Sequence, residues 1–103
     1  MTVCLIDTTP GKGKEIAIVP DPGALSHGDA CRIAEVAARR TDAETIVIDF
    51  GRIEEATTSA FARLVLLRRA LLRAGRDLRL VNLRDRAAHL FDIARLASVL
   101  PCG

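Results

Sequence analysis

Residues 45–50 constrain the fold of this chain more than any other stretch of its sequence. The run Thr-Ile-Val-Ile-Asp-Phe is rich in β-branched residues, nearly continuous in apolar character and too short for a helix. Such a run is typical of a central strand that is covered on one face or on both. We therefore expect a sheet built around this segment.

The first forty residues predict a hairpin followed by a helix. Val3–Ile6 and Glu15–Val19 are short apolar runs, and the polar segment Thr8–Lys14 between them is rich in turn-forming residues. Apolar residues then recur at helical spacing over Ser26–Arg40, and Ser26 followed by Asp29 is a capping signal. We therefore expect two strands joined by a turn, and then the first helix.

The second half of the chain predicts a longer helix and another strand. Helical periodicity extends from about Thr58 to Ala74, and Gly75 is well placed to end that helix in the left-handed conformation. Leu78–Leu83 alternates between apolar and polar residues like a strand. Two short helical turns are expected at 84–91 and 93–100, before Pro101.

The resulting order of elements is β-β-α-β-α-β-α. Helical crossovers between strands are right-handed and give parallel pairing. We therefore predict an α/β fold: a mixed, mostly parallel four-stranded sheet with an antiparallel hairpin strand at its margin and helices packed on it. The 103 residues, 50% apolar and 27% charged, suit a single domain over residues 1–103.

Composition also limits the expected partners and location. No apolar run approaches the roughly eighteen residues of a membrane span, and no secretory leader is evident, so we expect a cytoplasmic protein without membrane insertion. The net charge is −3 through Phe50 and +5 after it, and the chain has three aromatic residues. The positive charge is too small, and the aromatic residues are too few, to indicate nucleic-acid binding. Cys4, Cys31 and Cys102 are widely spaced and indicate no disulfide framework.

No catalytic constellation is evident in the sequence. Gly11–Lys14 is expected to be a hairpin turn rather than a phosphate loop, because it lacks the strand-to-helix context of such loops. His27 and His89 are far apart, and the adjacent carboxylates Glu54–Glu55 are expected to face solvent. Asp49 either caps a turn or lines a ligand site at the carboxyl edge of the sheet. We expect no enzyme, no cofactor and no metal; a small α/β enzyme, the alternative, would depend on Asp49 and nearby hydroxyls.

The second predicted helix is more apolar than one buried stripe requires. Five residues form the stripe expected to face the sheet: Ala60, Leu64, Leu67, Leu71 and Ala74. A flank about 100° away carries Phe61, Val65 and Leu72, with Arg68 beside them and Arg69, Arg73 and Arg76 beyond. This flank either packs under a neighbouring helix or forms an apolar strip with an arginine border for another protein.

Four segments carry a resemblance to a known family. They are IVIDFGRI at 46–53, ATTSAF at 56–61 followed by Leu64, AGRDLRLVNL at 74–83, and LFDIARL at 90–96. Together they resemble the sulfate transporter and anti-sigma factor antagonist (STAS) domain. In that family a strand ends in Asp or Asn, an Asp-Ser-Ser-Gly motif opens a helix, and a Gly precedes the next strand. Spacing from Asp49 aligns the motif with residues 57–60, Thr-Thr-Ser-Ala.

The resemblance implies a non-catalytic, protein-binding regulator of the anti-sigma factor antagonist type. In this family a partner kinase, itself the anti-sigma factor or switch protein, phosphorylates a hydroxyl at this helix start and so controls partner binding. The matching residue is Thr58, with Ser59 and Thr57 as secondary candidates. The expected partner surface comprises Asp49, Glu54, Thr57, Thr58, Ser59, Phe61, Val65 and Arg69.

Departures from the family pattern leave an alternative open. Thr57 stands where the motif has Asp and Ala60 where it has Gly, and plain helix capping also accounts for adjacent hydroxyls. Without phosphorylation, the same fold would serve as a constitutive accessory subunit beside the ATPase of a lipid transporter. Family members often continue with another strand and helix beyond the position of Gly103. The prediction is therefore a minimal domain, or one whose last sheet edge a partner completes.

Overall fold

The computed structural model describes residues 1–9 and 13–102, and each of its three α-helices follows a strand. In chain order the elements are β1 (Thr2–Thr9), β2 (Gly13–Val19), β3 (Gly23–Leu25), α1 (His27–Arg39), β4 (Ala43–Asp49), β5 (Ile53–Ala56), α2 (Thr58–Arg73), β6 (Asp77–Val81) and α3 (Asp85–Ile93). A single 3-10 turn, Leu96–Ser98, follows α3.

The larger sheet has four strands in the order β1-β2-β4-β6. β1 and β2 pair antiparallel as the predicted hairpin, whereas β2 with β4 and β4 with β6 pair in parallel. The predicted fold class, a mixed and mostly parallel four-stranded sheet with helices packed on it, is confirmed. The predicted turn between β1 and β2 includes residues 10–12, which lie outside the described residues.

The main core lies between this sheet and the two crossover helices. Both crossovers run in the same direction across the sheet, so α1 and α2 lie on one face and contact each other. Alternate strand residues supply the sheet side of the core: Ile16, Ile18, Ile46, Ile48, Leu78 and Leu80, all fully buried. The helices supply small and aliphatic residues: Ala30, Ile33, Ala34 and Ala37 from α1, and Ala60, Leu64, Leu67 and Leu71 from α2.

A second, two-stranded parallel sheet was not predicted from the sequence. β3 pairs with β5, and Leu25 and Ala56 are partners at the end of the ladder. The next residue after each strand is a helix N-cap, Ser26 for α1 and Thr57 for α2. The Thr57 N–H also donates to the Leu25 carbonyl oxygen at 3.1 Å. This small sheet therefore holds the N-terminal ends of α1 and α2 side by side.

The remaining predicted boundaries differ from the structure by a few residues. α2 ends as expected, with Gly75 at φ +75°, a conformation that favours glycine. The strand expected over 78–83 is β6, Asp77–Val81. Of the two helical turns expected at 84–91 and 93–100, the first is α3, which continues two residues past its predicted end to Ile93, and the second is the shorter 3-10 turn.

The last described residues lie along the outer edge of β6. Cys102 forms an isolated parallel bridge with Leu80, whose N–H donates to the Pro101 carbonyl oxygen at 2.9 Å. The N–H of Leu78, on the same edge, donates to Asp77 Oδ1 at 2.7 Å. Residues of this chain therefore occupy both of these backbone donors. Among the described residues, no helix is long and apolar enough to cross a membrane.

Candidate functional site

The start of α2 presents three adjacent hydroxyl groups. Thr57 is the N-cap, with extended backbone, and its Oγ1 accepts a hydrogen bond from the Ala60 N–H at 3.1 Å. Thr57 Oγ1 and Ser59 Oγ lie 3.2 Å apart and share a hydrogen bond. Thr58, the first helical residue, is exposed, as are its two neighbours. The plain capping role expected for this cluster is therefore performed by Thr57, whereas the Thr58 hydroxyl is open to solvent.

The charge of the first turn is the notable property of this helix start. The turn contains no acidic residue, and the helix from Thr58 to Arg73 contains neither Asp nor Glu. The first N–H groups of a helix lack intrahelical acceptors and carry a partial positive charge of about +0.5. This end of α2 can therefore accept an anion without displacing a carboxylate of its own first turn.

Asp49 is the last residue of β4, and its side chain links the backbone after β4 to the residue after β6 at the carboxyl edge of the sheet. Its Oδ1 accepts hydrogen bonds from the Gly51 N–H at 2.7 Å and from Asn82 Nδ2 at 3.0 Å. A Cβ at position 51 would lie 2.9 Å from this same oxygen, which explains why a glycine fits there. Arg84 Nε adds a hydrogen bond to the Gly51 carbonyl oxygen at 2.7 Å. The turn-capping interpretation of Asp49 thus accounts for its position.

The paired carboxylates of β5 line an open cleft of about 560 Å³ between β5 and α3. Its lining residues are Glu54, Glu55, Asp85, Arg86 and His89. Glu54 and Glu55 are exposed, as expected, and Glu55 pairs with Arg86 at 3.2 Å. The cleft therefore carries one internal ion pair and lies beside the strand that leads into α2.

The predicted flank of α2 is divided by the structure. Val65 is half-buried, Leu72 is 47% exposed, and Arg69 is exposed, so these three side chains can reach a partner. Phe61 is 1% exposed: its ring stacks on Phe50 with centroids 5.9 Å apart and meets Phe91 edge-on at 6.0 Å. The prediction that Phe61 contacts a partner is therefore wrong, because α3 covers this part of the flank.

Arg76 also lies elsewhere than the sequence suggested. Its Nε donates to the Ala43 carbonyl oxygen at 2.7 Å, and its Nη2 donates to the carbonyl oxygens of Ala37 and Arg40 at 3.0 and 2.7 Å. These carbonyls belong to the end of α1 and the start of β4. Arg76 therefore joins these two elements and is not part of an arginine border on α2.

One pair of candidate ligands was overlooked in the sequence. Cys31 Sγ lies 3.8 Å from His27 Nδ1, one helical turn away on α1, and the spacing of four residues was the available signal. The described residues contain no group of three His, Cys, Asp or Glu side chains that could hold a metal ion. Cys4 and Cys102 are exposed, and none of the three cysteines is in a disulfide.

The fold and this hydroxyl cluster together define a class: mixed α/β domains with a hydroxyl-rich helix start at the carboxyl edge of the sheet. Comparison with protein families places the chain more narrowly, since the family model described as the STAS domain matches residues 11–103. The chain belongs to the STAS domain family. The resemblance found in the sequence is confirmed.

Solved structures with the same fold are distant in sequence. The anti-sigma factor antagonist SpoIIAA in its unphosphorylated form has a TM-score of 0.65 and 16% identity, over 99% of this chain and 87% of that chain. The Bacillus cell fate determinant SpoIIAA in its phosphorylated form has a TM-score of 0.62 and 18% identity, over 99% and 91%. A sulfate transporter family protein from Wolinella succinogenes has a TM-score of 0.66 and 15% identity, over 82% and 70%. No curated protein sequence matches this chain significantly.

Proposed function

We propose that this protein is a non-catalytic, protein-binding regulator of the anti-sigma factor antagonist type, switched by phosphorylation of Thr58. The observation that carries the proposal is the exposed Thr58 hydroxyl at the first position of α2, in a turn without acidic residues. The family and the likeness to SpoIIAA support it. The proposed partner is an anti-sigma factor or switch protein that is also the kinase, and the proposed location is the cytoplasm.

The physical effect of the modification follows from the geometry of the helix start. A phosphothreonine carries about −1.5 to −2 charge near neutral pH and three acceptor oxygens. At Thr58 this group would lie beside first-turn N–H groups, of which the Ala60 N–H is already bonded to Thr57. The phosphate would therefore stabilise α2 locally while adding bulk and charge to the surface that a partner contacts.

The proposed partner surface is the start of α2 and the exposed part of its flank. Thr57, Thr58, Ser59, Val65 and Arg69 contribute side chains to it, and Glu54 lies in the strand that leads into the helix. Asp49 is part of the proposed surface as the residue that fixes the carboxyl edge of the sheet, by accepting hydrogen bonds from Gly51 and Asn82.

The test is to purify the chain from its native organism and to measure by mass spectrometry whether Thr58 carries a phosphate. Captured partners are then compared among the wild type, Thr58→Ala and Thr58→Glu. We expect a phosphate on Thr58, and a loss of about tenfold or more in partner affinity for Thr58→Glu, equivalent to about 1.4 kcal/mol.

Thr41→Glu is the matched control, because Thr41 is also exposed and lies in a turn outside the helices. It adds the same charge without changing the start of α2, so its partner affinity should equal that of the wild type. Equal binding by the wild type and Thr58→Glu would overturn the switch.

A second candidate function does not involve phosphorylation. Thr57, in place of the motif's Asp, satisfies a first-turn N–H by itself, so helix capping accounts for its hydroxyl without a phosphate. In this case the chain is a constitutive accessory subunit of an ATPase-driven lipid transporter. Capture of a transporter ATPase by wild type, Thr58→Ala and Thr58→Glu alike would favour this candidate.

A further inference from the structure

A groove runs between the outer flank of α2 and the segment that follows α3. Its volume is about 210 Å³. Its lining residues are Val65, Arg68, Arg69, Leu72, Ser98 and Val99. Leu72 is 47% exposed, and Val65 and Val99 are half-buried, so the floor of the groove is aliphatic and open to solvent.

Arg68 joins the two walls of this groove. Its Nε donates to Asp77 Oδ1 at 2.9 Å, and its Nη1 donates to the Val99 carbonyl oxygen at 3.0 Å. Burial alone would raise the pKa of the Asp77 carboxyl, but hydrogen bonds from Arg68 and the Leu78 N–H outweigh it and lower that pKa. Asp77 is therefore ionised at neutral pH, and the groove is held by a charged link between α2, β6 and the C-terminal segment.

The rim of the groove is basic. Arg69 and Arg73 are exposed one turn apart on α2. Among the side chains that the structure describes, those of residues 1–4 and 14–102, neither of them has a carboxylate within 4.0 Å, whereas Arg68 is bound to Asp77. Because α2 contains no Asp or Glu, nothing on this helix offsets their charge. The chemical complement of such a groove is a segment with aliphatic side chains on one face and carboxylates beside them.

We propose that this groove binds an acidic amphipathic helix of the same partner protein that contacts the start of α2. The inference rests on the proposed binding function and adds the chemistry of the partner. Val65 and Leu72 lie seven residues apart, about 10 Å along the helix axis, which matches apolar residues spaced by two turns on the docked helix. Its carboxylates pair with Arg69 and Arg73.

Thr58 lies far enough from the basic rim of the groove for its charge to act there only weakly. It is eleven residues from Arg69, about 16 Å along α2, twice the Debye length of about 8 Å at physiological ionic strength. A charge at Thr58 therefore acts on the partner's contact with the helix start, whereas a charge at position 69 or 72 acts on the groove. The two contacts can be tested separately.

The test uses the full chain and a synthetic helical peptide of about 14 residues, four turns, with Leu on one face and Glu on the others. The control peptide has Lys in place of every Glu. Calorimetry should detect binding of the Glu peptide, weakened about tenfold by Arg69→Glu and by Leu72→Asp. Thermal unfolding of each variant verifies that these exposed substitutions leave the fold intact.

Arg86→Glu is the matched protein control, because Arg86 is an exposed arginine on the other cleft, and it should bind the Glu peptide like the wild type. If phosphorylation of Thr58 is disproved, binding of the Glu peptide by the wild type and its loss in Arg69→Glu would still support the groove. Equal binding of both peptides, binding unchanged by Arg69→Glu, or no binding up to about 1 mM peptide would overturn the proposal. So would a wild-type chain that occupies the groove with a second copy of itself, or that prefers anionic lipid vesicles to the peptide.

Discussion

The two helices that leave the small sheet begin side by side but treat the charge of their N-terminal ends differently. At α1, Ser26 Oγ accepts from the Asp29 N–H at 3.2 Å, and Asp29 Oδ2 accepts from the Ser26 N–H at 2.9 Å, a complete capping box. At α2, Thr57 caps one N–H and the first turn holds no carboxylate. The start of α1 is therefore electrostatically complete, and that of α2 has room for an anion.

This difference indicates which helix start can accommodate an added anionic group. Both helix starts follow paired strands of one sheet, and both have hydroxyl caps, so backbone geometry does not distinguish them. The carboxylate of Asp29 distinguishes the two starts, because a phosphate at the start of α1 would meet a fixed negative charge. A phosphate at Thr58 meets none in its own turn.

The largest expected effect comes from removing the capping box at the start of α1. The double substitution Ser26→Ala and Asp29→Ala should lower the free energy of unfolding by about 2 kcal/mol, because the backbone N–H groups at positions 26 and 29 lose their acceptors. Urea unfolding measures it. Glu35→Ala, at an exposed acidic residue of the same helix, is the control and should change stability by less than about 0.5 kcal/mol. A double variant as stable as this control would remove the contrast between the two starts.

A smaller effect is expected when only the charge is changed at the same position of each helix. Gly28 and Ser59 are both the second helical residue, and each can be replaced by Gln and by Glu. Glu should be more stabilising than Gln by about 0.5 kcal/mol at position 59, and by less at position 28, where Asp29 is adjacent. Comparing Glu with Gln cancels the gain that any residue has over glycine in a helix. Equal differences at the two positions, measured by thermal unfolding, would contradict the electrostatic argument.

The smallest expected effect is the pH dependence of the stability that the α1 capping box provides. Hydrogen bonds from the Ser26 N–H and hydroxyl lower the pKa of Asp29 below its usual value of 3.8. A lowered carboxyl pKa stabilises the fold above pH 3.8, and this contribution is lost as the pH falls through the folded-state pKa. The cost of the double α1 substitution should therefore shrink in acid, by less than about 0.5 kcal/mol because Asp29 is partly exposed. An unchanged cost down to about pH 2 would contradict this assignment.

Local patterns predicted most of the fold. The β-branched run gave β4, helical periodicity gave α1 and α2, and Ser26 with Asp29 and Gly75 marked helix ends, because each signal depends on residues close in sequence. The hydroxyl cluster at the start of α2 is a signal of the same kind. This part of the candidate site was therefore visible without coordinates.

Non-local contacts account for what was missed. β3 and β5 have three and four residues, and their pairing joins segments about thirty residues apart, so neither shows a strand pattern of its own. The periodicity of α2 placed Phe61 on a flank but could not show that Phe91 of α3 covers it. Arg76 bonds to carbonyl oxygens more than thirty residues upstream, which no helical spacing can indicate.

The two outer strands of the larger sheet also protect it from aggregation, each in a different way. An unpaired sheet edge is a template on which another chain can add a strand. At β6, Pro101 and the Asp77 carboxylate occupy the outward donors of Leu80 and Leu78. At β1, the register shifts between Leu5 and Asp7, and such a bulge interrupts regular pairing along that side. Both edges of the larger sheet are therefore poor templates for an added strand.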